Sequence, residues 1–483
     1  MQQKKSINFG FRGWMLILWV ATAFFAYVVI GNYPMNILAD LYGGSQTLSL
    51  VYFAASVVGI IIQLILSAGA GKVKSWKNLG VIFGILSVLS LIGLMFLQPG
   101  TLYIVVYGLG VVLSVMYGTW ALSVLTGVWF PRRKGTVMGI ITFAFPIGNA
   151  LIGFFANGFF AEYGMNMEVN AGEKIGAMVG ELIASGTDAE AAEGIAAGIV
   201  SGQYAQAASF NSFLPFLIAI VVGLIIGIIF IKDFPEQCGC YRDNDKSMTP
   251  EMANAMMKAE EENRKNTVWK TGHTFACPDY WFITIPMGLL LMFAVGMMTQ
   301  TSSIIGPYEE AFSWIGGYQG MMFVIAAFGI IGSYGFGLLD TKCGTKLAVT
   351  VSMIFMIVSG ILGAIPNSAT LFVSLIILGM FMGASSNYTV SAAVQYWRIE
   401  DFPSVFSVIN PIANLLNAVG PMVIANLMAT TLGTQAVFGV TGIAGIIGLI
   451  LAILFKPARV KAYDDKYRQA AGKPLDDALV GRK

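Results

Sequence analysis

The sequence predicts an all-α integral membrane protein with twelve transmembrane helices. These helices are expected to form two six-helix bundles related by a pseudo-two-fold axis, with both termini in the cytoplasm. Of the 483 residues, 56% are hydrophobic and only 11% are charged, whereas a soluble protein carries about 25% charged residues. The apolar residues recur in long runs, and the Lys and Arg residues are confined to alternate connections between those runs.

Twelve apolar runs have the length of transmembrane helices. Crossing ~30 Å of hydrocarbon takes about 20 helical residues, and each run must pair its own backbone amides because lipid offers no hydrogen bonds. A transmembrane barrel is excluded, since it needs alternating segments of about 10 residues. The runs cover approximately residues 14–33, 48–70, 79–97, 101–130, 135–161, 213–231, 280–299, 316–339, 347–365, 369–394, 406–429 and 437–455.

The positive charges predict the orientation. Of the 28 Lys and Arg residues, all but Lys174 lie in the two terminal segments or in the connections on the same side as the termini. Positively charged loops are retained in the cytoplasm, so both ends are expected there and the protein is expected in the plasma membrane. The stretch VWFPRRKG, with Arg132, Arg133 and Lys134, is then a cytoplasmic turn between the fourth and fifth runs.

Two long connections divide the chain. We predict an amino-terminal bundle over residues 1–231, a cytoplasmic linker over 232–275, a carboxyl-terminal bundle over 276–457 and a cytoplasmic tail over 458–483. The extracellular loop 162–212 holds seven acids and one Lys. We expect a solvated spacer there, with short surface helices or a lid as the alternatives. In the linker, PEMANAMMKAEEENRK has the character of a charged interfacial helix.

Metal and cofactor chemistry has little support in the sequence. The four cysteines, Cys238, Cys240, Cys277 and Cys343, fall on one side of the predicted membrane, which disfavours a disulfide framework. The CGC pair lacks an accompanying His or second Cys pair, so we expect no metal and no cofactor. Nucleic-acid binding is also disfavoured, because the net charge is only +2 and the topology accounts for the basic residues.

Two proline motifs occupy corresponding positions in the two halves. Pro146-Ile147-Gly148-Asn149 lies in the fifth run and Pro411-Ile412-Ala413-Asn414 in the eleventh. Paired proline-interrupted helices point to the central site of a transporter. We therefore expect helix kinks at Pro146 and Pro411, with two coincidental kinks as the alternative.

At this point the chain resembles a known family. Six plus six runs, a long central connection, GLLDTKCGTK between the eighth and ninth runs and WFPRRKG after the fourth resemble the major facilitator superfamily. The WFPRRKG turn is similar to the oxalate/formate antiporter and monocarboxylate transporter branch. The resemblance implies two bundles that rock about a midplane site, with runs 1, 2, 4, 5, 7, 8, 10 and 11 lining a cavity.

The resemblance also implies a cytoplasmic gate. Asp340, Gly344 and Lys346 approximate the loop motif of the superfamily in the second half, whereas Lys72 and Trp76 replace its Asp and Gly in the first. We expect Asp340 to face the amino end of the eleventh run, where the helix dipole and Arg398 favour a carboxylate. The predicted gate residues are Asp340, Gly344, Lys346, Arg398, Arg132 and Arg133.

The apolar runs lack fixed charges. The Lys and Arg residues all fall in loops or terminal segments, and only Asp40, Glu309 and Glu310 approach a run, at its outer end. An ionisable residue inside a membrane normally marks an ion pathway, so the usual proton relay is missing. We expect a neutral, amphipathic or weakly charged substrate, moved by facilitated diffusion, by exchange or with a proton carried on the substrate itself.

Neutral polar and aromatic residues are the candidate substrate contacts. Buried amides need partners, which are either other helices or the substrate. Tyr117 and Trp120 in the fourth run, and Asn387 and Tyr388 in the tenth, are expected to form the walls, although packing is the usual role of such aromatic residues. The full predicted set is Tyr27, Gln63, Tyr117, Trp120, Asn149, Asn387, Tyr388, Asn414 and Asn417.

The resulting prediction is a monomeric secondary transporter that moves a small organic solute across the lipid bilayer by alternating access. The first alternative is a mono- or dicarboxylate antiporter that holds anions with neutral donors and helix dipoles. A second alternative, from another class, is a non-transporting sensor on a transporter fold. An enzyme is disfavoured, because the sequence shows no phosphate-binding loop, metal cluster or nucleophile paired with His.

Overall fold

The computed structural model describes residues 9–39, 41–42, 44–68, 75–130, 134–245, 247–249, 251–252, 255, 267–398, 401–473 and 475. Within these residues the regular structure is helical, without strands. Twelve described helices are long and apolar enough to cross a membrane, which confirms the predicted fold class. These spans, numbered 1 to 12, are Gly10–Leu38, Ser45–Gln63, Trp76–Phe96, Thr101–Trp129, Val137–Val169, Ala189–Phe230, Pro278–Thr299, Gly317–Cys343, Thr345–Gly363, Ser368–Ser385, Ser404–Met428 and Thr434–Leu454.

The spans pack as two groups of six. Span 1 packs against spans 5 and 6 in the first group, and span 7 packs against spans 11 and 12 in the second. Span 2 meets span 11 and span 5 meets span 8, so these two pairs join the halves. An even number of spans returns the chain to its starting side. We call the side with both chain ends the terminal face and the opposite side the hairpin face.

Three spans are irregular or interrupted. Span 4 contains a π-helix over Val115–Ala121. Span 5 consists of Lys134–Ile141 and Ala144–Val169, which are separated at Thr142 and Phe143. Span 10 ends at Ser385 and is followed by a second helix, Tyr388–Tyr396. The sequence predicted continuous helices here, and π-turns of this kind are frequent at functional sites.

Proline explains one of these interruptions. A proline ring clashes with the carbonyl group four residues earlier and donates no hydrogen bond to it. For Pro146 that carbonyl belongs to Thr142, where span 5 is interrupted. The helix Phe402–Met428 instead continues through Pro411. The two proline motifs therefore have different effects on their helices.

The segment 162–212, expected to be a solvated spacer, is helical. Span 5 continues to Val169, the helix Ala171–Ala184 follows, and span 6 belongs to a helix of 42 residues. At ~1.5 Å per residue, this helix is about twice as long as the hydrocarbon is thick. Ala171 and Tyr204 pack together with other apolar side chains outside the main core. The helices are stabilised by this small second core, which the acidic composition concealed.

The linker and the tail also contain helices. Short helices cover Pro235–Cys238, Arg242–Asn244 and Thr271–Ala276, and a tail helix covers Pro457–Ala470. Most of PEMANAMMKAEEENRK lies outside the described residues. Tyr467 of the tail helix stacks on His273 of the linker, with ring centroids 4.1 Å apart. The predicted tail therefore packs on the second half of the protein.

Candidate functional site

A small cavity lies between the two halves, near the middle of the spans. Its volume is about 20 Å³, which is room for about one water molecule. The first half contributes side chains from spans 1, 2 and 4, and the second half contributes span 11. The lining residues are Tyr27, Ser56, Ile60, Gln63, Val115, Thr119, Asn414, Asn417 and Ala418. None of the nine carries a charge.

The π-helix of span 4 shapes one wall of the cavity. Thr119 Oγ1 donates to the carbonyl oxygen of Val115 at 2.7 Å, so both residues lie on the same face of the helix. A Cβ atom on Gly118 would lie 2.6 Å from the Ala23 oxygen of span 1. Glycine at this position therefore allows spans 1 and 4 to approach closely, next to Val115 and Thr119.

A chain of hydrogen bonds joins the halves at the cavity. Asn417 Nδ2 of span 11 donates to the Tyr27 hydroxyl of span 1 at 3.4 Å. The Tyr27 hydroxyl lies 3.0 Å from the Tyr52 hydroxyl of span 2. The second lining amide, Asn414, donates to the Asn410 carbonyl oxygen at 2.9 Å. Asn417 Oδ1 is buried and has no hydrogen-bond partner.

The structure thus brings together four of the predicted site residues, Tyr27, Gln63, Asn414 and Asn417, and places three others away from the cavity. The Tyr117 hydroxyl accepts a hydrogen bond from Trp19 Nε1 at 2.9 Å within the first half. Trp120 packs edge-on against Trp76 of span 3, with ring centroids 5.3 Å apart. The Tyr388 hydroxyl is 2.7 Å from Ser352 Oγ of span 9.

These three side chains therefore pack between helices in this conformation and do not form the expected walls. Val115 and Thr119 face the cavity, so Tyr117, two positions from each, points to the opposite side of span 4. Aromatic side chains in a helix pack against neighbouring helices as readily as they contact a substrate. Their assignment as substrate contacts has no support from this arrangement.

The remaining two predicted amides hold helices together. Asn149 Oδ1 accepts from Asn32 Nδ2 at 2.8 Å, which joins spans 5 and 1. Asn387 Nδ2 donates to Thr142 Oγ1 at 3.2 Å, which joins the two halves. Thr142 and Asn387 both lie at helix interruptions, so the interruption of span 5 contacts the break that follows span 10.

A second set of hydrogen bonds joins the halves at the hairpin face. Asn36 Nδ2 donates to the Met298 carbonyl oxygen at 2.8 Å, and Ser302 Oγ donates to the Asn36 carbonyl oxygen at 2.8 Å. Ser45 Oγ donates to Gln300 Oε1 at 2.6 Å. We call these five residues the hairpin-face latch. The latch was not predicted, because Asn36 lies in the last turns of span 1 and its partners are more than 250 residues away in the sequence.

The predicted gate is arranged differently from the expectation. Asp340 accepts from Thr345 Oγ1 at 2.6 Å and from Ser391 Oγ, so neutral donors of spans 9 and 10 hold it. Arg398 instead pairs with Asp464 of the tail helix at 2.9 Å. Gly344 separates spans 8 and 9 at a φ of 93°, where glycine is favoured.

The backbone N–H of Lys346, next in the predicted gate, donates to the Tyr396 hydroxyl at 2.7 Å. Arg132 and Arg133, the other two predicted gate residues, lie outside the described residues. The carboxylate at the amino end of span 11 is Asp401, which accepts from the backbone N–H of Val268 at 2.8 Å. The expected partnership of Asp340 with that helix end is therefore corrected to Asp401.

A buried ionic cluster accompanies this arrangement. Arg468 bridges Asp464 at 3.1 Å and Asp401 at 2.8 Å, and Arg398 completes the cluster. Burial raises the pKa of Asp401, while the N–H groups of Trp269 and Val268 and the Arg468 charge oppose that rise. Arg398 and Arg468 are buried in this cluster, although both lie outside the twelve spans as expected. Neither residue lines the cavity.

Metal ligands are not grouped in the part of the chain that the structure describes. No set of three or more His, Cys, Asp or Glu side chains there could hold an ion. The cavity consequently offers hydrogen bonds and apolar contact only.

Comparison with known proteins supports the fold. Residues 287–480 match the family model described as Major Facilitator Superfamily. No curated protein sequence matches the chain significantly. The solved structure of the human organic anion transporter MFSD10 (TETRAN) is 14% identical, with a TM-score of 0.54, and the match covers 91% of this chain and 97% of that chain.

Two further solved structures have a similar fold. The xylose transporter XylE from E. coli, in a partially occluded inward open conformation, is 11% identical with a TM-score of 0.60, over 91% of this chain and 96% of that chain. A POT family transporter in complex with 5-aminolevulinic acid is 13% identical with a TM-score of 0.57, over 93% and 98% respectively. The protein is therefore a multi-pass membrane protein with the major facilitator fold, and residues 287–480 of it match the model of that superfamily.

Proposed function

We propose that this protein is a secondary transporter that moves a small organic solute by alternating access, as a monomer in the plasma membrane. The observation that carries the proposal is the cavity between the halves, which both halves line with uncharged polar side chains. A site shared by two rocking bundles can be exposed to either face in turn.

The hydrogen bonds between the halves support this mechanism. On the hairpin face the latch uses neutral groups, including Asn36 and Ser302. A neutral hydrogen bond contributes only about 0.5–1.5 kcal/mol to stability, so a few of them close a face without locking it. Solute would then reach the cavity from the terminal face, which the positive charges assign to the cytoplasm.

The lining favours a neutral or weakly charged solute. None of the nine lining side chains carries a charge, and a charged solute in a low-dielectric site needs a compensating partner. Transport would proceed by facilitated diffusion, by exchange or with a proton on the solute, because the lining has no acid to relay one.

The alternative is a mono- or dicarboxylate antiporter. The WFPRRKG turn favours it through its similarity to the oxalate/formate antiporter and monocarboxylate transporter branch. MFSD10 (TETRAN), a structural neighbour, is an organic anion transporter. Here the amide of Gln63, hydroxyl groups and helix ends would hold the anion in place of cations.

Counterflow in proteoliposomes tests both proposals. The full-length protein is reconstituted, and exchange of neutral, monoanionic and dianionic solutes is measured at several pH values. We expect neutral solutes or protonated monoacids to exchange fastest. Fastest exchange of dianions, with a rate that survives full deprotonation, would instead favour the antiporter.

A further inference from the structure

Asn417 places an unsatisfied hydrogen-bond acceptor beside the cavity. The residue is only 6% exposed, and its Oδ1 atom is buried without a donor. The structure thus removes this oxygen from water without giving it a protein partner, which is an unfavourable state for an amide oxygen. A solute that carries an O–H or N–H group would satisfy it.

The hydrogen bonds around Asn417 determine which way its side-chain amide group points. Its Nδ2 atom donates to the Tyr27 hydroxyl. The Tyr27 hydroxyl can then place its own hydrogen on the Tyr52 hydroxyl, 3.0 Å away. Asn417 therefore uses one of its two N–H donors to join the halves, and its oxygen is the buried atom that has no partner.

Two other lining residues also direct donors into the protein. The single hydroxyl hydrogen of Thr119 goes to the Val115 carbonyl oxygen. Asn414 Nδ2 donates to the Asn410 carbonyl oxygen, one helical turn earlier. Thr119 Oγ1 therefore remains as an acceptor only, and each of the two asparagines offers its oxygen together with its second N–H group.

The rest of the lining limits the solute further. Ile60, Val115 and Ala418 contribute apolar surface, and the cavity of about 20 Å³ admits only a small group in this conformation. A carboxylate at Asn417 would place oxygen against oxygen without a cation nearby. A hydroxyl group on a short aliphatic chain has the complementary chemistry, whereas an ammonium group would bring a positive charge that no lining side chain compensates.

We infer that the transported solute is a small aliphatic alcohol whose O–H group donates to Asn417 Oδ1. The inference rests on the proposed function, because it names the solute class of the same cavity. It also separates this reading from the carboxylate antiporter, whose substrate presents acceptors only.

Three probes on the same three-carbon backbone test the inference. 1,3-Propanediol carries neutral O–H donors, whereas 1,3-diaminopropane is a dication and malonate an acceptor-only dianion at neutral pH. Binding to the purified full-length protein is measured by saturation-transfer NMR. We expect the diol to bind at least tenfold more tightly than either ion. Tighter binding of malonate or of the diamine, or no binding of any probe, overturns the inference.

Matched variants test the role of Asn417. Asn417→Leu and the smaller Asn417→Ala both remove the acceptor oxygen and should each reduce the preference for the diol over malonate to below threefold. Asn426→Leu, on an exposed position of the same helix, is the control and should leave the preference unchanged. An unchanged preference in either Asn417 variant overturns the inference, and Asn417→Ala keeps the test decisive if Asn417→Leu misfolds.

The counterflow assay distinguishes failure of this inference from failure of the proposed transport function. Exchange of malonate or of the diamine in preference to the diol overturns the inference and leaves a transporter. Absence of exchange with every solute overturns the proposed function itself, even if a probe binds.

Discussion

Thr142 Oγ1 and Asn387 Nδ2 lie 3.2 Å apart. The contact joins the interruption of span 5 in the first half to the break that follows span 10 in the second half. Their sequence positions differ by 245 residues. Each lies where a long helix is broken, so the pair connects the two points at which the backbone can bend with least loss of hydrogen bonding.

The Thr142–Asn387 contact predicts a measurable coupling. Thr142→Val and Asn387→Ala should each change the counterflow rate, and the double variant should show a coupling energy of about 1 kcal/mol, the size of a neutral hydrogen bond. The measurement is a double-mutant cycle on exchange rates. Strictly additive effects would show that the contact plays no part in the conformational change.

The hairpin-face latch predicts a change in accessibility. Asn36→Ala removes the hydrogen bond to the Met298 carbonyl oxygen, so the hairpin face should open more often. In a background with the four native cysteines replaced by Ser, the buried Thr301 is changed to Cys as a reporter. Its maleimide labelling should accelerate about three- to tenfold, as expected for one hydrogen bond. Asn426→Ala is the control, and equal labelling in Asn36→Ala and the control would contradict the latch.

Replacing Pro146 and Pro411 with alanine should have unequal effects on the counterflow rate. Pro146→Ala restores the backbone donor to Thr142 and should let span 5 become continuous, which raises the thermal unfolding midpoint and slows counterflow. Pro411→Ala lies in a helix that is already continuous and should change the rate less. Both rates are measured in the same reconstitution. A larger loss of rate in Pro411→Ala than in Pro146→Ala would refute the assigned role of the span 5 interruption.

The buried ionic cluster predicts that the stability of the folded protein depends on pH. Because burial raises the pKa of Asp401, the folded state binds a proton there more readily than the unfolded state. Stability from this group is therefore gained as pH falls through the raised pKa and lost as pH rises through it. The groups that face Asp401 are the N–H donors of Val268 and Trp269, the Arg468 guanidinium and the Asp464 carboxylate.

Unfolding measured from about pH 4 to about pH 7 checks this prediction. Wild type should gain more stability on acidification than Asp401→Asn, which cannot titrate. Lys466→Met, an exposed change on the same tail helix, should follow the wild-type curve. Parallel curves for wild type and Asp401→Asn would mean that Asp401 keeps the pKa of the unfolded chain.

The sequence predicts the twelve spans because the bilayer sets their length and composition independently of tertiary contacts. The same uniformity limits prediction of the site. Span 4 is apolar on every side, so its sequence does not show that Thr119 faces the cavity and Tyr117 faces span 1. The polar residues Tyr27, Gln63, Asn414 and Asn417 of spans 1, 2 and 11 carried more information, since a buried polar group must find a partner.

Other features depend on contacts between distant segments. Asn36 meets Met298, 262 residues away, and Arg398 meets Asp464, 66 residues away. Such pairs leave no periodic pattern in the sequence. The helices of segment 162–212 were only an alternative to the expected spacer for a related reason, because their small core forms only when Ala171 and Tyr204 come together.

The central claim is that the two halves expose one shared cavity to each face in turn, and a reversible cross-link across the hairpin-face latch tests it most directly. In the cysteine-free background, Asn36→Cys and Ser302→Cys are combined, because Ser302 Oγ lies 2.8 Å from the Asn36 carbonyl oxygen. Oxidation should abolish counterflow while solute binding from the terminal face persists, and reduction should restore exchange. Undiminished counterflow in the fully cross-linked protein would contradict alternating access through this cavity.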